Sequence, residues 1–137
     1  MTSSPPSSIV TTQSGRSSHE TWSPPLFLLE MASGNDSFIA HLVDAFNTDT
    51  SARIETIRTA LAASEFSRLR MEAHTIKGAA RQVGADAVAD ACQELEAVCN
   101  LQETLLAASR LNRLQELFEE IRRAMASYCR SHSLNLQ

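Results

Sequence analysis

Proline is absent from this 137-residue chain after residue 25; Pro5, Pro6, Pro24 and Pro25 are its only four. Glycine is nearly as scarce, with Gly34, Gly78 and Gly84 alone in that same stretch. A β-rich fold of this length needs many more turn residues, and a nucleotide-binding α/β fold needs a glycine-rich phosphate loop. Both are excluded, which leaves an all-helical domain. Long apolar runs are missing too. The longest purely aliphatic and aromatic stretch is Leu26-Phe27-Leu28-Leu29, far short of the ~20 residues that span a bilayer, so no membrane partner is expected. No basic region followed by an apolar stretch opens the chain, and Arg16 is the only arginine among the first 25 residues. Neither a secretory signal nor a transit peptide is expected.

Cys92, Cys99 and Cys129 make an odd count with no CxxC pair. That pattern suits free thiols in a reducing compartment and offers no metal site, which would need more donors at tighter spacing. The net charge of −4 argues against a nucleic-acid partner. A cytoplasmic monomer is expected.

What is present divides the chain in two. Residues 1–25 hold eight Ser, four Thr and four Pro, a composition that disfavours a packed core. They are expected to form a disordered tail, with residues 26–137 as the helical domain. Pro24-Pro25 suits the first turn of a short helix over 24–32, closed by Gly34. Asn35 or Asp36 can cap a second helix carrying Phe38, Leu42, Ala45 and Phe46. A restart at Thr48 or Thr50 would open a third, with Ile54, Ile57 and Leu61 as its stripe. Ser64 is a candidate cap for a helix with Phe66, Leu69, Ala73, Ile76, Ala80 and Val83. Gly84 ends it, and Asp86 can cap another with Val88, Ala91, Cys92, Leu95 and Val98. The last helix, over 103–130, repeats apolar residues at gaps of four and three from Ala107 to Tyr128. Amphipathic helices on short loops bury their stripes against one another, so an antiparallel four-helix bundle with a short additional N-terminal helix is expected.

One helix carries unusual chemistry. His74 is out of phase with the stripe of Ala73 and Ile76, and so faces outward. Lys77, the only lysine, follows three residues later, and Gly78 four residues later; both share the histidine's side of the helix. A glycine inside a helix costs about 1 kcal/mol relative to alanine, which suggests close approach by something large. Arg70 and Arg81 extend the basic side by a turn each way. The following helix bears Asp86, Asp90, Glu94 and Glu96 and no basic residue. With the turn centred near 84–86, His74 should face Glu96, and Gly78 should face Cys92. A carboxylate on one imidazole nitrogen fixes the tautomer and leaves the other nitrogen as a nucleophile.

The string Ala73-His74-Thr75-Ile76-Lys77-Gly78-Ala79-Ala80-Arg81-Gln82-Val83-Gly84-Ala85, followed by Cys92-Gln93-Glu94-Leu95-Glu96, resembles the histidine-containing phosphotransfer (HPt) domains of two-component phosphorelays. The similarity begins at about Leu26 and includes Gly34-Asn35-Asp36, Phe38 and Phe46. The resemblance implies that His74 is the phosphorylated histidine, that Lys77 stabilises the phosphate, and that Gly78 leaves room for it. Glu96 matches a position whose side chain hydrogen-bonds the imidazole. It implies partners in a receiver domain of a response regulator or a hybrid histidine kinase, with Mg²⁺ in the receiver, and no cofactor, kinase or nucleotide site here. Arg70, Met71, Thr75, Gly78 and Arg81 are then the candidate docking residues, an exposed Met being suited to adaptable contacts. Two other classes fit the residues less well: a bundle that binds a kinase or receiver without transferring phosphate, and a small enzyme using His74 as general base. His19, His41 and His132 lack comparable surroundings.

Overall fold

The computed structural model describes residues 21–132; residues 1–20 of the expected tail, with His19, and residues 133–137 lie outside the described part. Five helices follow one another: α1 (Leu26–Ala32), α2 (Asp36–Ala62), α3 (Phe66–Gln82), α4 (Asp86–Cys99) and α5 (Thr104–Ser131). The four long ones form an antiparallel ring in which α2 packs on α3, α3 on α4, α4 on α5 and α5 on α2. Short α1 lies on α2 through buried Leu28 and Ala32. The expected architecture is the observed one.

One expected break is not there. The chain runs as a single helix from Asp36 to Ala62, straight through Thr48 and Thr50. Its buried residues Ile39, Val43, Phe46, Thr50, Ile54, Ile57 and Ala60 keep helical spacing throughout, and Thr50 supplies the link between the two halves. With 1% of its surface exposed, Thr50 sits in the core and its hydroxyl oxygen meets no hydrogen-bond partner. No proline or glycine interrupts the segment, so burial of a continuous stripe overrides the polar look of the sequence. The stripe is also rotated from the expected one. Ile39 and Val43 are buried, Phe38 and Leu42 only partly so, and Ala45 is exposed.

The two turns beside the site share one geometry, and neither uses the expected side-chain cap. After α2, Ser64 takes a left-handed backbone (φ 57°), and the Glu65 amide donates back to the Ala60 carbonyl at 2.8 Å. After α3, Gly84 takes φ 77°, and the Ala85 amide donates to the Ala80 carbonyl at 2.8 Å. Both are Schellman endings that satisfy late helical carbonyls. Ser64 and Asp86 therefore do not cap; the residues at those cap positions are Glu65 and Ala85, without side-chain bonds. Asn35 does cap α2, its side chain accepting from the Ser37 amide at 3.2 Å.

Packed structure also begins earlier than residue 26. The Trp22 indole nitrogen donates to the Val83 carbonyl at 2.8 Å, and its ring meets Tyr128 edge-on at 5.4 Å. Pro24 is buried. Pro25 lies so close to Gly84 that a Cβ there would sit 3.0 Å from its ring. This short strap is fastened over the α3–α4 turn. Among the described residues no helix is long and apolar enough to cross a membrane.

Candidate functional site

The α3–α4 hairpin positions the site. Leu69, Ala73, Ile76 and Ala80 bury one face of α3, which turns His74 outward with 70% of its side chain exposed. Across the hairpin, Leu95 and Cys92 bury α4 and bring Glu96 alongside. Its carboxylate bridges two basic groups. Oε2 lies 2.8 Å from His74 Nδ1, and Oε1 accepts from Lys77 Nζ at 2.9 Å. A second acceptor holds the same ammonium, Oε1 of Gln93, also at 2.9 Å. Lys77 is consequently laid against α4, with only 16% of its side chain exposed.

Burial of Glu96 alone would raise its pKa. The hydrogen bonds from Lys77 and His74, with the attraction of both groups, outweigh that and hold it below the ordinary 4.5. An ionised Glu96 facing Nδ1 favours the tautomer with its proton there, leaving the Nε2 lone pair directed to solvent. Beneath the site, burial pushes the Cys92 thiol up to about 12; repulsion from Glu96 adds to this and Lys77 opposes it. Cys99 and Cys129 are raised chiefly by burial as well. All three are free, buried thiols, unsuited to nucleophilic or ligand chemistry.

Gly78 does not face Cys92. A Cβ built on it would meet nothing within 4 Å, so the space beside His74 is open and the glycine serves no tight helix crossing. Around the histidine, a groove of about 1120 Å³ runs towards the start of α3 and across to the α4–α5 loop. Arg70, Met71, His74 and Thr75 line one side, Gln102 and Thr104 the other. The Thr75 hydroxyl donates to the Met71 carbonyl at 3.1 Å. Arg81, one turn beyond Gly78, is exposed and does not line this groove. Met71 is 61% exposed, and Leu101 and Leu105, flanking the groove residues of the loop, are 62% and 87% exposed.

Three residues of this surface escape a reading of the residues alone: Gln93, Leu101 and Leu105. Leu105 had a usable signal, since it stands two residues before the stripe that starts at Ala107 and so points away from the core. Gln93 had none beyond its place in the hairpin register. Of the other histidines, His41 is exposed on α2, and His132 stacks on Tyr128 at 3.9 Å; neither has a partner carboxylate like that of His74.

The family model of the Hpt domain matches residues 41–124, which takes in α3, α4 and most of α2 and α5. Among solved structures, the chain is similar to histidine-containing phosphotransfer protein B (HptB) from Pseudomonas aeruginosa PAO1. The TM-score is 0.68 and the identity 26%, over 76% of this chain and 90% of that one. No curated protein matches the chain.

Proposed function

Because the chain belongs to the Hpt domain family, we propose that His74 carries a phosphoryl group between the components of a phosphorelay. It accepts the group on Nε2 from a receiver-domain aspartate or a histidine kinase, and passes it to a response regulator. The carrying observation is the exposed imidazole whose Nδ1 lies 2.8 Å from Glu96. As the Nε2 lone pair forms the N–P bond, the P–O bond to the donor carboxylate breaks and that carboxylate leaves. The proton on Nδ1 stays, so the ring gains positive charge opposite Glu96, which stabilises it. Transfer onward reverses the step on a second aspartate.

Such chemistry asks mainly for alignment and charge neutralisation. Lys77 offsets the Glu96 carboxylate, so an incoming phosphoryl anion does not face an unpaired negative charge. Gly78 leaves the approach open. Arg70, Met71 and Thr75, with Leu101 and Leu105 across the groove, offer a mixed basic and apolar docking face, and Arg81 extends it past Gly78. On this reading the protein is a carrier without a kinase or nucleotide site or a cofactor of its own. Mg²⁺ belongs to the receiver partner. A cytoplasmic location fits a chain whose three thiols are free, and the carrier reading takes the protein as a monomer.

Incubation with a phosphorylated receiver tests this. The wild type should acquire an acid-labile, base-stable label, and His74→Gln should acquire none while remaining folded, since the side chain is exposed. Labelling of the variant at the wild-type rate would move the site elsewhere. Binding without any transfer by the wild type would make the protein an adaptor.

A further inference from the structure

Lys77 is engaged before any phosphate arrives. Its ammonium is fastened to two residues of α4: Glu96 at 2.9 Å and Gln93 at 2.9 Å. The same Glu96 carboxylate takes His74 Nδ1 on its other oxygen. The ammonium therefore lies on the Nδ1 side of the imidazole, beyond the carboxylate, whereas a phosphoryl group on Nε2 projects from the other side of the ring. Two of the ammonium's three N–H donors are held on α4, and a swing of Nζ towards the phosphoryl pulls against both bonds. The contact with Gln93 is the weaker of the two, because a neutral amide holds an ammonium less strongly than a carboxylate does.

Resting on the reading of His74 as the phosphoryl carrier, we propose that Gln93 is a positioning residue that parks Lys77 in the unphosphorylated protein. In the resting state the parked ammonium neutralises Glu96. When His74 is phosphorylated, Lys77 leaves Gln93 and turns to the phosphoryl oxygens. Gln93 thus sets how readily the lysine is released, and with it the lifetime of the phosphohistidine. Gln93 is exposed on α4, so replacing it leaves the core intact.

Substitutions of opposite sense separate this from a structural role. Gln93→Ala removes the parking acceptor, and Gln93→Glu replaces it with a charged one that grips harder. His74 can be loaded with phosphoramidate, whose P–N bond breaks with loss of ammonia as the Nε2–P bond forms. The hydrolysis lifetime is then followed by acid-labile label. We expect Gln93→Ala to lengthen the lifetime about two- to fivefold, and Gln93→Glu to shorten it by at least as much. In a Lys77→Ala background the Gln93→Ala effect should vanish, as a coupled pair requires. Lys77 is the only lysine, so its ammonium gives a single side-chain nitrogen resonance, which should shift on loading of the wild type. Lifetimes changed in the same direction by both substitutions would overturn the proposal. So would a Gln93→Ala effect that persists without Lys77, or a lysine resonance unmoved by loading. Failure of the wild type to load on His74 at all would overturn the carrier reading and this inference with it, an outcome distinct from normal loading with a still lysine.

Discussion

The indole of Trp22 and the carbonyl of Val83 are joined by a 2.8 Å hydrogen bond across 61 positions of sequence. Val83 is the residue that closes α3, so the strap before α1 reaches the end of the helix that carries His74. Truncation at residue 20 keeps this contact, whereas truncation at residue 25 removes it together with the ring contact to Tyr128. Trp22→Ala should lower stability by about 1–3 kcal/mol, given a partly buried ring and one hydrogen bond. Thermal melts of the two truncations and the point variant check this; equal melting temperatures throughout would make the strap dispensable.

Gly78→Gln should separate stability from activity. The site is open to a side chain, with nothing within 4 Å of a Cβ, so the variant gains helix propensity worth somewhat under ~1 kcal/mol. The new side chain lies one turn from His74, where a partner and a phosphoryl group must come in. Transfer should fall on the order of 100-fold through misalignment alone. A melting curve and a phosphotransfer time course on one preparation decide; normal transfer would show that partners approach by another face.

Glu96 brings a pH dependence whose sign is fixed. Its folded pKa lies below the ordinary 4.5 because Lys77 and His74 hydrogen-bond the ionised form more than burial disfavours it. The stabilisation is complete above the unfolded value and is lost as pH falls through the lower folded value. Glu96→Gln keeps a side chain able to accept from Nδ1 but abolishes this step. The stability gap between wild type and Glu96→Gln should shrink as pH falls below about 4.5. Denaturant titrations at neutral pH and across that acid range measure it, and a gap that widens in acid contradicts the assignment.

Thr50 offers a gain. Its hydroxyl is buried without a partner, so Thr50→Val exchanges an unsatisfied polar atom for a methyl of similar shape. Stability should rise by about 1 kcal/mol, or several degrees in melting temperature for a domain of this size. No rise would imply an internal water on the hydroxyl.

Much of this architecture is legible in the residues. The hairpin register follows from the turn at Gly84, and it puts His74 opposite Glu96 because both helices advance at the same rise from a common turn. Register does not say how side chains are shared, and the second acceptor on Lys77 is a matter of rotamers. Thr50 misleads because a threonine's polarity is visible in sequence while its burial is set by tertiary packing, and Thr48 is an exposed position inside the same unbroken helix. Ser64 misleads for a related reason. Serine is a common cap, but here the preceding helix uses the residue to stop, in the conformation that Gly84 adopts one helix later. Trp22 is hidden by its neighbours, since a single aromatic in a Ser/Thr/Pro-rich stretch carries no periodicity.

His74, Lys77, Gln93 and Glu96 all belong to two consecutive helices joined at 83–85. Bringing their ends together closes only a very short loop, and loop-closure entropy rises with length. No distant strand or domain has to arrive before imidazole, ammonium and carboxylate find one another. The reactive group is therefore assembled within a single helical hairpin, and it needs no pairing across a long loop. The rest of the bundle supplies what the hairpin cannot: a buried face for Ala73, Ile76 and Leu95, without which two helices this short would be marginal in water.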